Sequence, residues 1–413
     1  MRPETIARHP GPVEFVVLMA LLTSLEALSI DAMLPALDHI GTSLDAIGNQ
    51  PQLVIGSIFL GAAAGQFASG ALSDGFGRRP VVFAFIALFM VGTAICTLAT
   101  DFSQMLAGRV LQGFGAAGPH VVSLAIIRDR YEGREMARIA SFVMSVFIIV
   151  PVIAPLLGQG ILLVAEWRAI FGALAGLAAL VLVWFAARQP ETLVASARTP
   201  ISIPGYVAAA RSALRVRSLL VYTGVQGLIF GAFIGYLSST QQIFQDIYQQ
   251  GALFPVFFAL LSLAIGIAAA LNGVLVIRLG MHRLTATAFA ALITLSVLFL
   301  IWSEAHGGRP PFPGLLAWLA ASIFCVGAAF GNLTAMALES LGDQAGMGAT
   351  LFGGFSTLLA LIIGSVIGQG FDGTVSPLVL GFILGPAAGL ALMWADGGSP
   401  WRDRAGEMVQ TGP

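Results

Sequence analysis

Twelve stretches of this sequence are apolar for long enough to cross a lipid bilayer, near residues 13–38, 51–71, 80–100, 103–126, 138–162, 167–187, 218–243, 252–277, 284–303, 313–337, 346–369 and 375–395. Hydrocarbon offers no water to backbone N–H and C=O groups, so a spanning segment satisfies them within a helix or a closed barrel. Runs of roughly 20 apolar residues fit the helix, whereas barrel strands need about half that length. The expected fold class is an all-α membrane protein of twelve transmembrane helices. Charge agrees with it: 10% of the residues are charged, against about 25% in ordinary globular proteins. The 49 glycines read as packing residues, because small side chains let helix backbones approach closely in lipid.

All 20 basic residues are arginine, and their placement sets an orientation. With the N-terminus cytoplasmic, 17 of them fall in cytoplasmic segments, Arg168 and Arg309 fall on the opposite side, and Arg109 lies inside span four. That asymmetry predicts that both termini are cytoplasmic. The segment Met1 to Pro12 is short and polar and does not read as a cleaved signal peptide. Cys96 and Cys325 both lie in apolar runs, which argues against a disulfide framework, and no metal-ligand spacing is present. No metal or cofactor is expected.

The longest connection, Arg188 to Arg217, contains Pro190, Pro200 and Pro204. It divides the chain into an N-terminal half (1–190), a linker (191–217) and a C-terminal half (218–413). Its later part, from Tyr206 to Arg217, places Arg211 and Arg215 one turn apart and reads as an interfacial amphipathic helix. An internal repeat supports the same cut. Gly70, Leu72 and Gly77 after span two match Gly273, Leu275 and Gly280 after span eight, at a constant offset of 203. Two pseudo-symmetric six-helix halves are expected.

Span one carries two carboxylates, Glu26 and Asp31, and a proline, Pro35. Acids at bilayer depth are costly unless paired, protonated or facing water. Asp31 and Arg109 each lie roughly 10 Å inside the non-cytoplasmic end of their spans, counting about 1.5 Å per residue, so an Asp31–Arg109 ion pair is expected. Glu26 lies deeper and about 140° around the helix from Asp31, so the two acids should have separate jobs. Pro35 has no N–H for the Asp31 carbonyl, which predicts a kink and a free carbonyl there.

Three stretches carry a family resemblance. Gly70-x-Leu72-x-Asp74-x-x-Gly77-Arg78-Arg79 resembles the signature loop of the major facilitator superfamily. Arg109-x-x-Gln112-Gly113-x-Gly115-Ala116-Ala117 is similar to that family's fourth-span motif. Pro151-Val152-Ile153-Ala154-Pro155-Leu156-Leu157-Gly158-Gln159-Gly160 is similar to its antiporter motif, with Ala154 and Gln159 departing from the expected glycines. In the second half, Ile277 stands where the loop's acid would be. The run from Asp31 to Leu37 resembles the first span of the bacterial branch that includes bicyclomycin- and chloramphenicol-resistance exporters (Bcr/CflA-like). Arg128-Asp129-Arg130 and Pro190-Glu191-Thr192-Leu193 also fit the family, as ends that latch the halves together.

The resemblance implies a multi-pass protein of the bacterial inner membrane that exchanges protons for small lipophilic or cationic compounds by alternating access. Asp31, Glu26 and Arg109 would carry proton coupling. Gly70, Asp74, Gly77, Arg78, Arg79, Pro151, Pro155 and Gly158 would serve gating. Candidate substrate contacts are Glu26, Ile30, Met33 and Gln112 in the first half and Tyr222, Gln226, Phe230, Phe233 and Asn332 in the second. Expected partners are a small-molecule substrate, protons and lipid, with no nucleic acid and a monomeric chain. Two readings stay open beside this one: transport of a specific metabolite in either direction, and a membrane receptor that moves nothing. An enzyme is disfavoured, since no H-E-x-x-H and no G-x-S-x-G with partners occurs. No ATP-binding loop is present, so an ion gradient is the expected energy source.

Overall fold

The computed structural model describes residues 10–198 and 202–397. The expectations for the polar N-terminal segment and for Arg402 and Arg404 fall outside those residues. The helices are α1 Pro12–Asp31, α2 Leu37–Ser43, α3 Leu53–Phe76, α4 Arg78–Leu98, α5 Phe102–Arg130, α6 Gly133–Leu162, α7 Arg168–Arg188, α8 Ile203–Ala213, α9 Arg217–Gln242, α10 Phe254–Leu279, α11 Met281–Glu304, α12 Phe312–Leu338, α13 Ala345–Gln369 and α14 Ser376–Gly397. No strand occurs among the described residues. Among the described residues, twelve spans are long and apolar enough to cross a membrane. Several run past the apolar stretches that mark them in sequence. Span four continues through Arg128-Asp129-Arg130, because helical hydrogen bonding continues after the side chains turn polar.

The chain divides into two compact units, Met1–Ala208 and Ala209–Pro413, each with six spans. The short helix α8 lies in the connection, over the first part of the stretch that reads as amphipathic.

Both units turn the same corner between their second and third spans. α3 ends at Gly77 with φ +107°, and α10 ends at Gly280 with φ +76°. A side chain is strained at such angles, and glycine is not. The 203-residue repeat is therefore a repeat of backbone geometry. The same offset joins Glu14 to Arg217, and each ties its unit's first span to its last. Glu14 pairs with Arg188, whereas Arg217 pairs with Asp396.

In the first unit α5 packs between α3 and α4. A Cβ on Gly113 would overlap the Ile58 carbonyl, so the α3–α5 contact is backbone against backbone. In the second unit Gly227, Gly231 and Gly235 lie one turn apart on α9 and receive Leu359, Ile363 and Ile367 of α13. This is small-residue packing of the kind lipid favours, where no water is expelled between helices.

Candidate functional site

The break in span one builds the site. α1 ends at Asp31, a 3₁₀ turn covers Leu34–Ala36, and the helix resumes at Leu37. Pro35 lies in that turn and cannot donate a backbone hydrogen bond. The Met33 N–H turns to the Ile30 carbonyl at 3.3 Å instead of reaching back to Ser29. That leaves the Ser29 carbonyl at the C-terminal end of α1, where the helix dipole concentrates partial negative charge.

Arg109 of α5 takes that carbonyl. Its Nη1 donates to Ser29 O at 2.9 Å and to Gln112 Oε1 at 2.7 Å, and its Nε donates to Val54 O of α3 at 3.2 Å. Gln112 Nε2 donates in turn to Thr93 Oγ1 of α4 at 2.9 Å. One guanidinium thereby joins α1, α3, α4 and α5. It is 0% exposed and lies 6.0 Å over the Phe171 ring of α7.

The expected Asp31–Arg109 ion pair is not formed. Among the described residues no hydrogen bond or salt bridge reaches the Asp31 carboxylate. Depth matching fixes one coordinate only, and backbone carbonyls claim the guanidinium first. Of the carbonyls at the break, Arg109 takes that of Ser29 rather than that of Asp31.

Glu26 has a neighbour that sequence reasoning missed. His120 of α5 places Nδ1 4.0 Å from Glu26 Oε2 and 3.5 Å from Thr23 O. Its ring meets Phe147 of α6 edge-on, with centroids 6.1 Å apart. A signal was available: His120 lies 11 residues after Arg109, about 20° around the helix and three turns along it. Arg130 completes the series, donating to Pro10 O at 2.9 Å and lying 4.7 Å over the Phe15 ring. Three basic residues of α5 thus meet α1 at three levels.

Several candidate substrate contacts are engaged within the protein in this arrangement. Gln112 is fully buried with both ends of its amide bonded. Met33 is fully buried and Ile30 nearly so, packed around the break. Asn332 of α12 exchanges two amide hydrogen bonds with Asn272 of α10, at 2.9 and 3.1 Å, and also donates to Ala328 O. Tyr222 is buried on α9, its hydroxyl 2.9 Å from His282 Nε2 of α11. Phe230 and Phe233 are half-buried and stack with centroids 6.2 Å apart, both edge-on to Phe330. Gln226 Oε1 is buried without a hydrogen-bond partner among the described residues.

The loop at the arginine-rich end forms a network. Gly70 lies in the last two turns of α3, and Gly77 ends that helix. Arg78 donates to Asp74 at 2.5 Å, to Ser73 Oγ at 3.0 Å and to Asp129 at 2.9 Å. Thr192 Oγ1 donates to the same Asp129 carboxylate. Glu191 accepts from the Arg78 and Arg79 backbone N–H groups, both at 3.0 Å, so a carboxylate caps the positive end of α4. The Arg79 guanidinium donates to Ala186 O. All of these contacts lie within the first unit, as do the described contacts of Asp129 and Glu191, which the sequence reading gave to a latch between halves. α6 continues as helix through Pro151 and Pro155, and its Gly158 lies directly against the Ala32 carbonyl at the break.

A family model of the major facilitator superfamily matches residues 19–365. The chain belongs to that superfamily. It is accordingly a transporter rather than an enzyme or a receptor, and a multi-pass membrane protein with the major facilitator fold. It is 32% identical over 369 residues to the uncharacterised MFS-type transporter YdgK of Bacillus subtilis, covering 88% of this chain and 87% of that one. It is 25% identical over 368 residues to a bicyclomycin resistance protein homologue of Haemophilus influenzae, covering 88% and 91%. The fold matches the xylose transporter XylE of E. coli, in a partially occluded inward-open conformation, with TM-score 0.70 at 13% identity over 94% of this chain and 98% of that one.

Proposed function

We propose that this superfamily member is a proton-driven antiporter that exports small lipophilic or cationic compounds across the bacterial inner membrane. One chain is the working unit, with both termini cytoplasmic. The observation that carries the reading is Asp31. It lies at the break in span one, is 5% exposed, and has no bonded partner among the described residues. A charged acid in that setting costs several kcal/mol, and taking up a proton removes the cost. Motion of the turn at 32–36 changes what Asp31 faces. Against Arg109 or water the charged form is favoured and the proton leaves; away from them the proton is held. Glu26, nearer the middle of the span, meets the substrate. The name of the Haemophilus influenzae relative supports export of toxic compounds.

The test is transport in proteoliposomes with an imposed pH gradient, using ethidium or tetraphenylphosphonium as cargo. Asp31→Asn should abolish gradient-driven transport while leaving binding. Full pH-driven transport by Asp31→Asn would remove the proton role.

A further inference from the structure

At the arginine-rich end the protein engages several of its own arginines. Arg78 pairs with Asp74 and Asp129, Arg188 with Glu14, and Arg217 with Asp396. Arg79 and Arg130 donate to the Ala186 and Pro10 carbonyls. Arg211 on α8 and Arg215 in the turn after it are different. Both are exposed, and among the described residues neither guanidinium has a bonded partner. The sequence gives the reason: no Asp or Glu occurs from Thr192 to Gln245. Arg134 and Arg138 on α6 are exposed as well, but Glu132 and Glu135 are interleaved with them. One acid stands near α8 by chain position. Asp343 belongs to the turn Gly342–Gln344, and Gln344 Nε2 donates to Ser212 Oγ at 3.2 Å.

The two arginines also stand at the edge of a span. Helical bonding continues past α8, from the Leu214 N–H to Ala210 O and from the Val216 N–H to Ala213 O. α9, the seventh span, then begins at Arg217. Arg215 is two residues from that start and Arg211 six, a rise of about 9 Å at most along a helix. That is about one Debye length at physiological salt, so lipid headgroups feel both charges. The side of α8 that packs on the protein is marked by Ala213, which is fully buried. Arg211 lies two residues before it, about 200° around the helix, and so is turned away from the protein.

We infer that Arg211 and Arg215 bind the phosphate of an anionic phospholipid of the phosphatidylglycerol type in the adjoining leaflet. Two arginines about one turn apart present forked donors to phosphate oxygens. With no acid between them, the pair carries a net positive charge and favours a headgroup that is net negative over a zwitterionic one. A lipid held there fixes the end of the connection, and with it the start of α9, to the membrane surface. The inference needs only that α9 spans a bilayer, and it is independent of the transport chemistry proposed above.

The experiment titrates dioleoyl phosphatidylglycerol, and separately dioleoyl phosphatidylcholine, into purified full-length protein in neutral detergent, with bound lipid read by native mass spectrometry. Hydrogen exchange of the amides from Tyr206 to Val216, in phosphatidylcholine nanodiscs with and without phosphatidylglycerol, locates the site. The wild type should prefer phosphatidylglycerol, and exchange should slow where that lipid is present. Arg211→Gln and Arg215→Gln should each cost about fivefold in affinity for it, and the double variant should lose the slowing. Lysine at both positions keeps the charge and should keep part of the preference. Arg134→Gln with Arg138→Gln should leave exchange at α8 unchanged. Thermal unfolding confirms that each variant folds, and in the wild type itself added salt should weaken the preference. The inference is overturned if the double glutamine variant keeps the slowing, or if neutral nanodiscs slow exchange as much. Equal slowing by soluble glycerol 3-phosphate overturns it in favour of a soluble anion. A preference that emerges only in Asp343→Asn overturns it too, because the arginines would then already be neutralised within the protein.

Discussion

The Glu14 carboxylate accepts two hydrogen bonds from the Arg188 guanidinium, at 2.6 and 2.7 Å, and a third from the Trp184 indole at 3.1 Å. This ties the start of α1 to the end of α7. The second unit makes the equivalent tie from Arg217 to Asp396 at 3.0 Å, with the signs exchanged. A two-pronged arginine–carboxylate pair is the geometry in which ion pairs contribute most, although partial exposure screens this one. Glu14→Gln should lower the melting temperature of the detergent-solubilised protein modestly. The exchanged pair Glu14→Arg with Arg188→Glu should recover part of the loss, because only the direction of the pair changes. Thermal unfolding of the three proteins decides it, and equal melting temperatures for Glu14→Gln and the wild type would show the tie to be idle.

Much of this architecture was legible in the sequence. The number of spans follows from apolar length, and the break in span one follows from Pro35, since each depends on one local property. The partners of Arg109 were not legible. Depth along a helix can be counted, but the choice between a carboxylate and a set of carbonyls depends on azimuth and on which backbone groups a break releases. His120 shared a face with Arg109 and was readable on that ground. The amide pair of Asn272 and Asn332 was not, because it needs two non-adjacent helices to meet at one level.

Arg109 depends on Gln112 for one of its three acceptors. Gln112→Ala removes the bond at 2.7 Å and also frees Thr93 Oγ1. Taking an acceptor from a buried charged donor costs about 2 kcal/mol. Arg109→Lys should cost at least as much, because one ammonium cannot span acceptors on α1, α3 and α5 as a planar guanidinium does. Chemical unfolding in mixed micelles should report both losses, and a stability change under about 0.5 kcal/mol for Gln112→Ala, the range of surface substitutions, would contradict the role given to it.

Asp101 caps α5 just outside the span. Its carboxylate accepts from Ser103 Oγ at 2.5 Å and from the Gln104 N–H at 2.9 Å. The Ser103 hydroxyl first, and then the Gln104 amide, hold this carboxyl below the usual aspartate range. Because the folded value is the lower one, the cap contributes fully above the unfolded value of about 3.9. The contribution is lost as pH falls through the folded value. Hydrogen exchange at the start of α5 should show protection of Gln104 falling on acidification. Asp101→Asn keeps a good capping residue and should flatten that dependence, whereas Asp101→Ala should lose protection at every pH.

Gly158 and Gly160 stand two residues apart on span five and should respond oppositely to one substitution. A Cβ on Gly158 would overlap the backbone carbonyl of Ala32, in the turn that follows Asp31, whereas a Cβ on Gly160 meets nothing within 4 Å. A helix backbone cannot yield as a flexible side chain does, so Gly158→Ala must push α6 away from the break or move the Ala32 carbonyl. Overpacking of this kind typically costs about 1–3 kcal/mol. Gly160→Ala removes a flexible residue from a helix without a clash and should stabilise by about 0.5–1 kcal/mol. The two proteins should therefore unfold on opposite sides of the wild type. If Gly158 matters only for packing, transport by Gly158→Ala should follow the folded fraction. If the contact sets how the turn at 32–36 moves, transport per folded molecule should fall as well, and its pH dependence should shift with it.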